Sequence, residues 1–186
     1  MAFNTSAGTS ITGDGGGIDI DSAGSVTGTL SGNITSANGD AVHIDVTGAA
    51  TVNLTFNGTV DGGSGVGDDG IEITSAGGSI TLVTNGTVTG EPGVVLAGAG
   101  GGVTYDANND VTGDAGGIII SETSGLITLR VNNAGTNIQG DNDGDLVGDG
   151  INLSTSAGGS IFMDADSATT VSGGNGDDRI FGASGN

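Results

Sequence analysis

Apolar residues along this chain fall at alternate positions in runs of three to five, the period of a β-strand and not of a helix. One recurring run reads Ile18-Asp19-Ile20, Val42-His43-Ile44, Ile71-Glu72-Ile73, Val94-Val95-Leu96, Ile118-Ile119-Ile120 and Ile151-Asn152-Leu153, and Ile180-Phe181 opens a seventh copy. A turn of small residues follows, as in Ser22-Ala23-Gly24, Ser75-Ala76-Gly77-Gly78 and Ser156-Ala157-Gly158-Gly159. It leads to a second run, for example Val52-Asn53-Leu54, Ile80-Thr81-Leu82 or Leu126-Ile127-Thr128-Leu129. A third, shorter run is marked by Ile34, Val60, Val88, Val111, Ile138 and Val171.

The first run starts at steps of 24, 29, 23, 24, 33 and 29 residues, so one coil takes about 24 residues and some coils carry insertions. Three short strands per repeat with glycine-rich corners predict an all-β fold, a three-sided parallel β-helix or β-solenoid of six to seven coils. Parallel crossovers make a right-handed coil the expectation. Residues 1–186 read as a single solenoid domain, with 173–181 as its C-terminal coil. Glycine occurs 41 times, and each would cost a helix about 1 kcal/mol, which removes helix as an alternative.

Composition narrows the partners. The chain carries 22 acidic residues against Arg130 and Arg179, has no lysine, and has a formal net charge of −20. Such a surface repels nucleic acid, anionic lipid and acidic polysaccharide and attracts cations. Phe3, Phe56, Tyr105, Phe162 and Phe181 are the only aromatic residues, so the expected core is a thin stack of aliphatic side chains. There is no cysteine, which leaves backbone ladders and metal ions to hold the coils.

Acid is concentrated at the corner before the first run, where a glycine precedes an acid in every coil: Gly13-Asp14, Gly39-Asp40, Gly67-Asp68, Gly90-Glu91, Gly113-Asp114, Gly148-Asp149 and Gly176-Asp177. Coils stack about 4.8 Å apart, so these carboxylates share one edge of the rod. Neighbours about 5 Å apart repel by roughly 3 kcal/mol at an effective dielectric of 20. The same pairs are also ordinary turn chemistry, glycine supplying positive φ and the acid capping the backbone. The insertions go further, with Asp61, Asp68 and Asp69 in one and Asp141, Asp143, Asp145 and Asp149 in the other. Carboxylates at that density suit calcium, a hard cation that takes six to eight oxygen ligands. Asp141, Asp143 and Asp145 begin like an EF-hand loop, but Leu146 and Asn152 stand where that loop needs glycine and glutamate.

Gly173-Gly174-Asn175-Gly176-Asp177-Asp178-Arg179-Ile180-Phe181 fits the nonapeptide GGxGxDxUx and resembles the RTX calcium-binding repeat. That resemblance implies a Ca2+ site in which Asp178, beside Asp177, supplies a carboxylate, Gly174 and Gly176 lie in the carbonyl-bearing loop, and Ile180 points inward. It also implies a bacterial protein of the cell exterior or surface, exported by a type I-like route with no N-terminal signal peptide. The other coils resemble the glycine- and threonine-rich β-helices of adhesins, autotransporter passengers and surface-layer proteins.

No catalytic constellation accompanies this frame. A polysaccharide-acting β-helix enzyme needs a general acid, a base and cationic groups for acidic sugars. His43 lies mid-strand and is expected to face outward as a surface residue, and Arg179 sits among acids. The sequons at Asn4, Asn33, Asn53, Asn57, Asn85 and Asn152 read as turns and strand edges. Thr51, Thr55, Thr81 and Thr128 do not sustain the regular threonine row an ice-binding face requires.

At the ends, residues 2–11 resemble 71–80, and the chain stops just after Ile180-Phe181 starts another first run. Uncapped coils predict a self-partnered homopolymer stacked head to tail, with no nucleic acid and no membrane insertion. The expected function is a non-enzymatic, calcium-stabilised extracellular filament, matrix fibre or surface layer. The alternative is a stalk or passenger segment of a large calcium-binding adhesin.

Overall fold

Each alternating run becomes one short strand, and runs of the same kind lie side by side in separate sheets. In the computed structural model, residues 1–141 and 148–173 are described in full and 179–182 as backbone. Among them there is no helix, and all strand pairs are parallel.

Sheet I takes the first run as Ile18–Ser22, Val42–Val46, Ile71–Ser75, Val94–Gly98, Gly116–Glu122, Asp149–Thr155 and Arg179–Gly182. Sheet II takes the second as Ala2–Thr5, Val26–Leu30, Val52–Phe56, Ile80–Thr84, Val103–Ala107, Leu126–Val131 and Ser160–Ala165. Sheet III takes the third as Ser10–Gly13, Asn33–Ser36, Val60–Asp61, Val88–Gly90, Val111–Gly113, Asn137–Gly140 and Thr170–Ser172. Three seven-stranded sheets visited in rotation are the β-solenoid that the repeat predicts.

Register explains why the repeat was countable. Ile18, Val42, Ile71, Val94, Ile118 and Ile151 pair in one unbroken row. Alternate residues of these strands point inward and are buried, so β-branched side chains stack on their own kind from coil to coil. Burying each such side chain contributes about 1.5–3 kcal/mol. Tyr105 is fully buried in the same stack, and its hydroxyl reaches a partner in Thr84 Oγ1 at 3.0 Å. Outward on sheet II, Thr27, Asn53, Thr81, Thr104, Thr128 and Phe162 form one row, so threonine there is interrupted.

Three registers differ from the sequence reading. Ala2–Thr5 pairs with Val26–Leu30 in sheet II, and Ile11 pairs with Ile34 in sheet III. The likeness of 2–11 to 71–80 is therefore one of composition and not of place, because Ser-Ala-Gly turns occur at more than one corner. Ile180 pairs with Leu153 and not with Ile151, a shift of two residues. The Gly-acid pairs also do not stack as one set. Gly90 pairs with Gly113 and Gly113 with Gly140, whereas Asp149 already lies in sheet I opposite Gly116. The sixth corner pair is thus Gly140-Asp141.

The other two corners are bonded from coil to coil by side chains, although Glu122 Oε2 at one and Thr169 Oγ1 at the other are buried without a hydrogen-bond partner. Between sheets II and III an asparagine ladder climbs the rod: Asn85 Nδ2 donates to Asn57 Oδ1 at 2.7 Å, Asn108 Nδ2 to Asn85 Oδ1 at 2.7 Å, and Asn132 Nδ2 to Asn108 Oδ1 at 2.8 Å. Asn57 Nδ2 donates in turn to Ser31 Oγ at 3.2 Å. Between sheets I and II, the last inward residue of the strand caps the glycine turn. Ser75 Oγ accepts from Gly78 N at 3.1 Å, and Glu122 Oε1 accepts from Gly125 N at 3.2 Å. Glu122 is buried over Gly98, where a Cβ would come within 2.1 Å of its Oε2.

Candidate functional site

The third corner, between sheets III and I, collects the acid in two rows. One row leaves sheet III and holds Glu91, Asp114 and Asp141 on successive coils, each directly after a paired glycine. The other enters sheet I. There Asp40 O accepts from Gly17 N at 3.2 Å and Asp69 O from Ala41 N at 3.0 Å, so Asp40 and Asp69 follow each other up the edge. Glycine is required where the chain turns inward, since a Cβ on Gly70 would meet the carbonyl oxygens of Gly93 and Thr89 at 2.5 Å.

Along the first row, Asp61, Ser64, Thr89, Glu91, Thr112 and Asp114 line a cleft of about 170 Å³. Asp61 Oδ1 accepts a hydrogen bond from Thr89 Oγ1. Asp114 Oδ1 is buried there with no hydrogen-bond partner. A carboxylate oxygen removed from water without a donor is costly.

Along the second row, the strands of sheet I bring in two more groups. His43 pairs with Glu72 in register, and Asp40 stands three residues before His43. His43 Nδ1 lies 2.9 Å from Glu72 Oε2 and 3.2 Å from Asp40 Oδ2, and its Nε2 lies 3.7 Å from Asp45 Oδ2. Among the described residues, Asp40, His43 and Glu72 are the one set whose three potential ligand atoms lie within 4.8 Å of one another. Burial alone would lower the imidazole pKa, but Glu72, Asp45 and Asp40 outweigh it and raise the value. Asp69, only 6 % exposed, donates its backbone N–H to Asp40 Oδ1 at 2.8 Å. Burial beside the carboxylates of Asp40 and Glu72 pushes the Asp69 carboxyl up to about 7.

The sequence-predicted ligands are therefore dispersed. Asp61 joins the first row's cleft and Asp69 joins the histidine cluster. Asp68 folds back on its own loop, its Oδ2 accepting from Gly65 N at 2.8 Å. Asp141 takes a left-handed backbone with φ 81°, and its N–H is shared between Gly113 O and Asp114 O at 2.9 and 3.1 Å. Asp149 Oδ2 accepts from Asn152 Nδ2 at 2.9 Å. Asp143, Asp145, Gly174, Gly176, Asp177 and Asp178 lie outside the described residues.

Sequence reasoning passed over Asp40, Glu72 and His43 as a group, although the step from His43 to Glu72 equals the 29-residue step from Val42 to Ile71. His43 does face outward as expected, but held between two carboxylates. No family model matches the chain, and neither does a curated protein or a solved structure.

Proposed function

We propose that this chain is a non-enzymatic structural rod of the cell exterior whose acidic corner is held by calcium, and that further copies extend it head to tail into a filament, fibre or layer. The observation that carries the calcium reading is Asp114 Oδ1, buried without a donor in a cleft that also presents Asp61 and Glu91. The groups lining that cleft offer only oxygen, the donor set a hard cation takes. An ion there neutralises charge shared by successive coils and so fastens one coil to the next.

Extension is supported by the parallel sheets, because a parallel strand edge of the kind that joins each coil to the next can take a further strand. Location outside the cell is supported by the RTX-like nonapeptide at 173–181 and by the acid excess. The nonapeptide also favours a second reading, in which the neighbouring coils belong to the same polypeptide and the chain is a segment of a secreted calcium-binding adhesin.

Electron microscopy of the chain with calcium and with chelator tests the proposal. Fibres or sheets that grow with calcium and dissolve with chelator are expected. Discrete monomers in millimolar calcium would sink the assembly, and circular dichroism unchanged by calcium or chelator would sink calcium folding.

A further inference from the structure

The cluster of Asp40, His43 and Glu72 differs in kind from the oxygen-lined cleft, because it contains the chain's single histidine. Calcium seeks six to eight oxygens, whereas imidazole nitrogen favours zinc and its neighbours, for which three protein ligands and one further oxygen complete a tetrahedron. Ligands about 2.1 Å from zinc are spaced about 3.4 Å apart around that tetrahedron. His43 Nδ1 already lies 2.9 and 3.2 Å from the two carboxylate oxygens, so a small opening of the cluster accommodates the ion.

Two further observations point to a cation at this place. Asp69 is more than nine-tenths buried against the cluster, its backbone N–H donating to Asp40 Oδ1 and Asp40, Glu72 and His43 all acting on its carboxyl. Beyond His43, Asp45 Oδ2 lies 3.7 Å from Nε2, outside hydrogen-bond distance but on the side from which an outer carboxylate orients a metal-bound imidazole. The cluster is reached through a cleft of about 280 Å³ lined by Gly15, Asp19, Gly39, Asp40, His43 and Gly67.

We propose that Asp40, His43 and Glu72 form a site for a divalent transition ion of the zinc class, with His43 Nδ1 as its nitrogen ligand and Asp69 as the buried carboxylate behind it. The site ties the Val42–Val46 strand to the Ile71–Ser75 strand, one coil to the next. It is separate from the calcium reading, which rests on Asp61, Glu91 and Asp114.

The test uses the full chain without an affinity tag, stripped with chelator and titrated with zinc alone. Because there is one histidine, nitrogen-15 resonances of imidazole report on His43 without ambiguity. One equivalent of zinc is expected to move them and to raise the melting temperature, with calcium unable to reproduce the imidazole shift. Glu72→Gln, which keeps the reporter, weakens binding by about tenfold or more. His43→Gln abolishes that equivalent in calorimetry. Asp114→Asn leaves it unchanged, which separates failure of this site from failure of the calcium cleft. Imidazole resonances unmoved by zinc would overturn the assignment, as would His43→Gln binding the same equivalent with wild-type affinity. Should His43→Gln not fold, the wild-type spectra and Glu72→Gln decide the matter.

Discussion

Two corners of the rod solve the stacking problem in opposite ways. At the asparagine corner, four successive coils present an amide, which both donates and accepts, so Asn57, Asn85, Asn108 and Asn132 bond to one another along the axis. At the acidic corner, successive coils present carboxylates, which only accept, so stacking accumulates repulsion and leaves Asp114 Oδ1 buried without a donor. The difference teaches that a solenoid corner is neutral at no cost to stacking when its side chains are amides. An acidic corner is tolerable only with a counter-ion or with protons. The amide ladder holds its corner without help from solvent, and on the reading proposed above the carboxylate rows make theirs conditional on what the solvent contains.

That contrast is broken most strongly by pH. In the chelator-treated chain, Asp69 has a folded pKa of about 7 against an ordinary 3.8, and His43 is raised above 6.5. A raised folded pKa contributes stability that is present below the unfolded value and lost as pH rises through the folded one. For Asp69 the loss falls between pH 3.8 and about 7, and for His43 it lies above 6.5. Both carry the same sign, so urea unfolding should show the apo rod weaker at pH 8 than at pH 5. The groups facing this pair are Asp40, Asp45, Asp68 and Glu72, all acidic, which fixes that sign. The expected difference is on the order of 3 kcal/mol. Asp69→Asn should remove most of it and make the apo chain the more stable of the two at pH 8. A pH profile identical in Asp69→Asn and wild type would locate the effect elsewhere.

The asparagine corner is broken from the other side by Asn85→Asp, which sets a carboxylate oxygen against Asn57 Oδ1 where an N–H now donates at 2.7 Å. Because the ladder is largely exposed, a loss of about 1–2 kcal/mol in urea unfolding is expected, and calcium should not restore it. The smallest effect belongs to the one neutralised pair on sheet II. Arg130 Nη1 lies 3.0 Å from Asp106 Oδ1, with both side chains partly in water. Arg130→Gln should cost less than about 1 kcal/mol, and less still in high salt.

Much of the fold was legible because each β-branched residue of a coil stacks on its counterpart, so Val42, Ile71 and Val94 could be aligned by spacing alone. The asparagine ladder was legible in principle, since the steps from Asn57 to Asn85, Asn108 and Asn132 repeat at coil length, but Asn-Gly also marks any turn. Insertions were not legible. The extra residues of the sixth coil fit on either side of a Gly-acid pair, and backbone pairing alone assigns Gly140-Asp141 to the ladder and Asp149 to sheet I. The histidine cluster was hidden for a related reason, because its members lie in two coils and carry no local motif.

The dependence of the acidic corner on calcium is tested most directly by unfolding the stripped chain at pH 8 with and without calcium at constant ionic strength, in wild type and in Asp114→Asn. Saturating calcium, at about 100 times its dissociation constant, adds about 2.7 kcal/mol for one site. That raises the wild-type melting temperature by about 5–10 °C, and Asp114→Asn loses the larger part of the gain. A wild-type midpoint indifferent to calcium, or an Asp114→Asn chain with the full response, would contradict it.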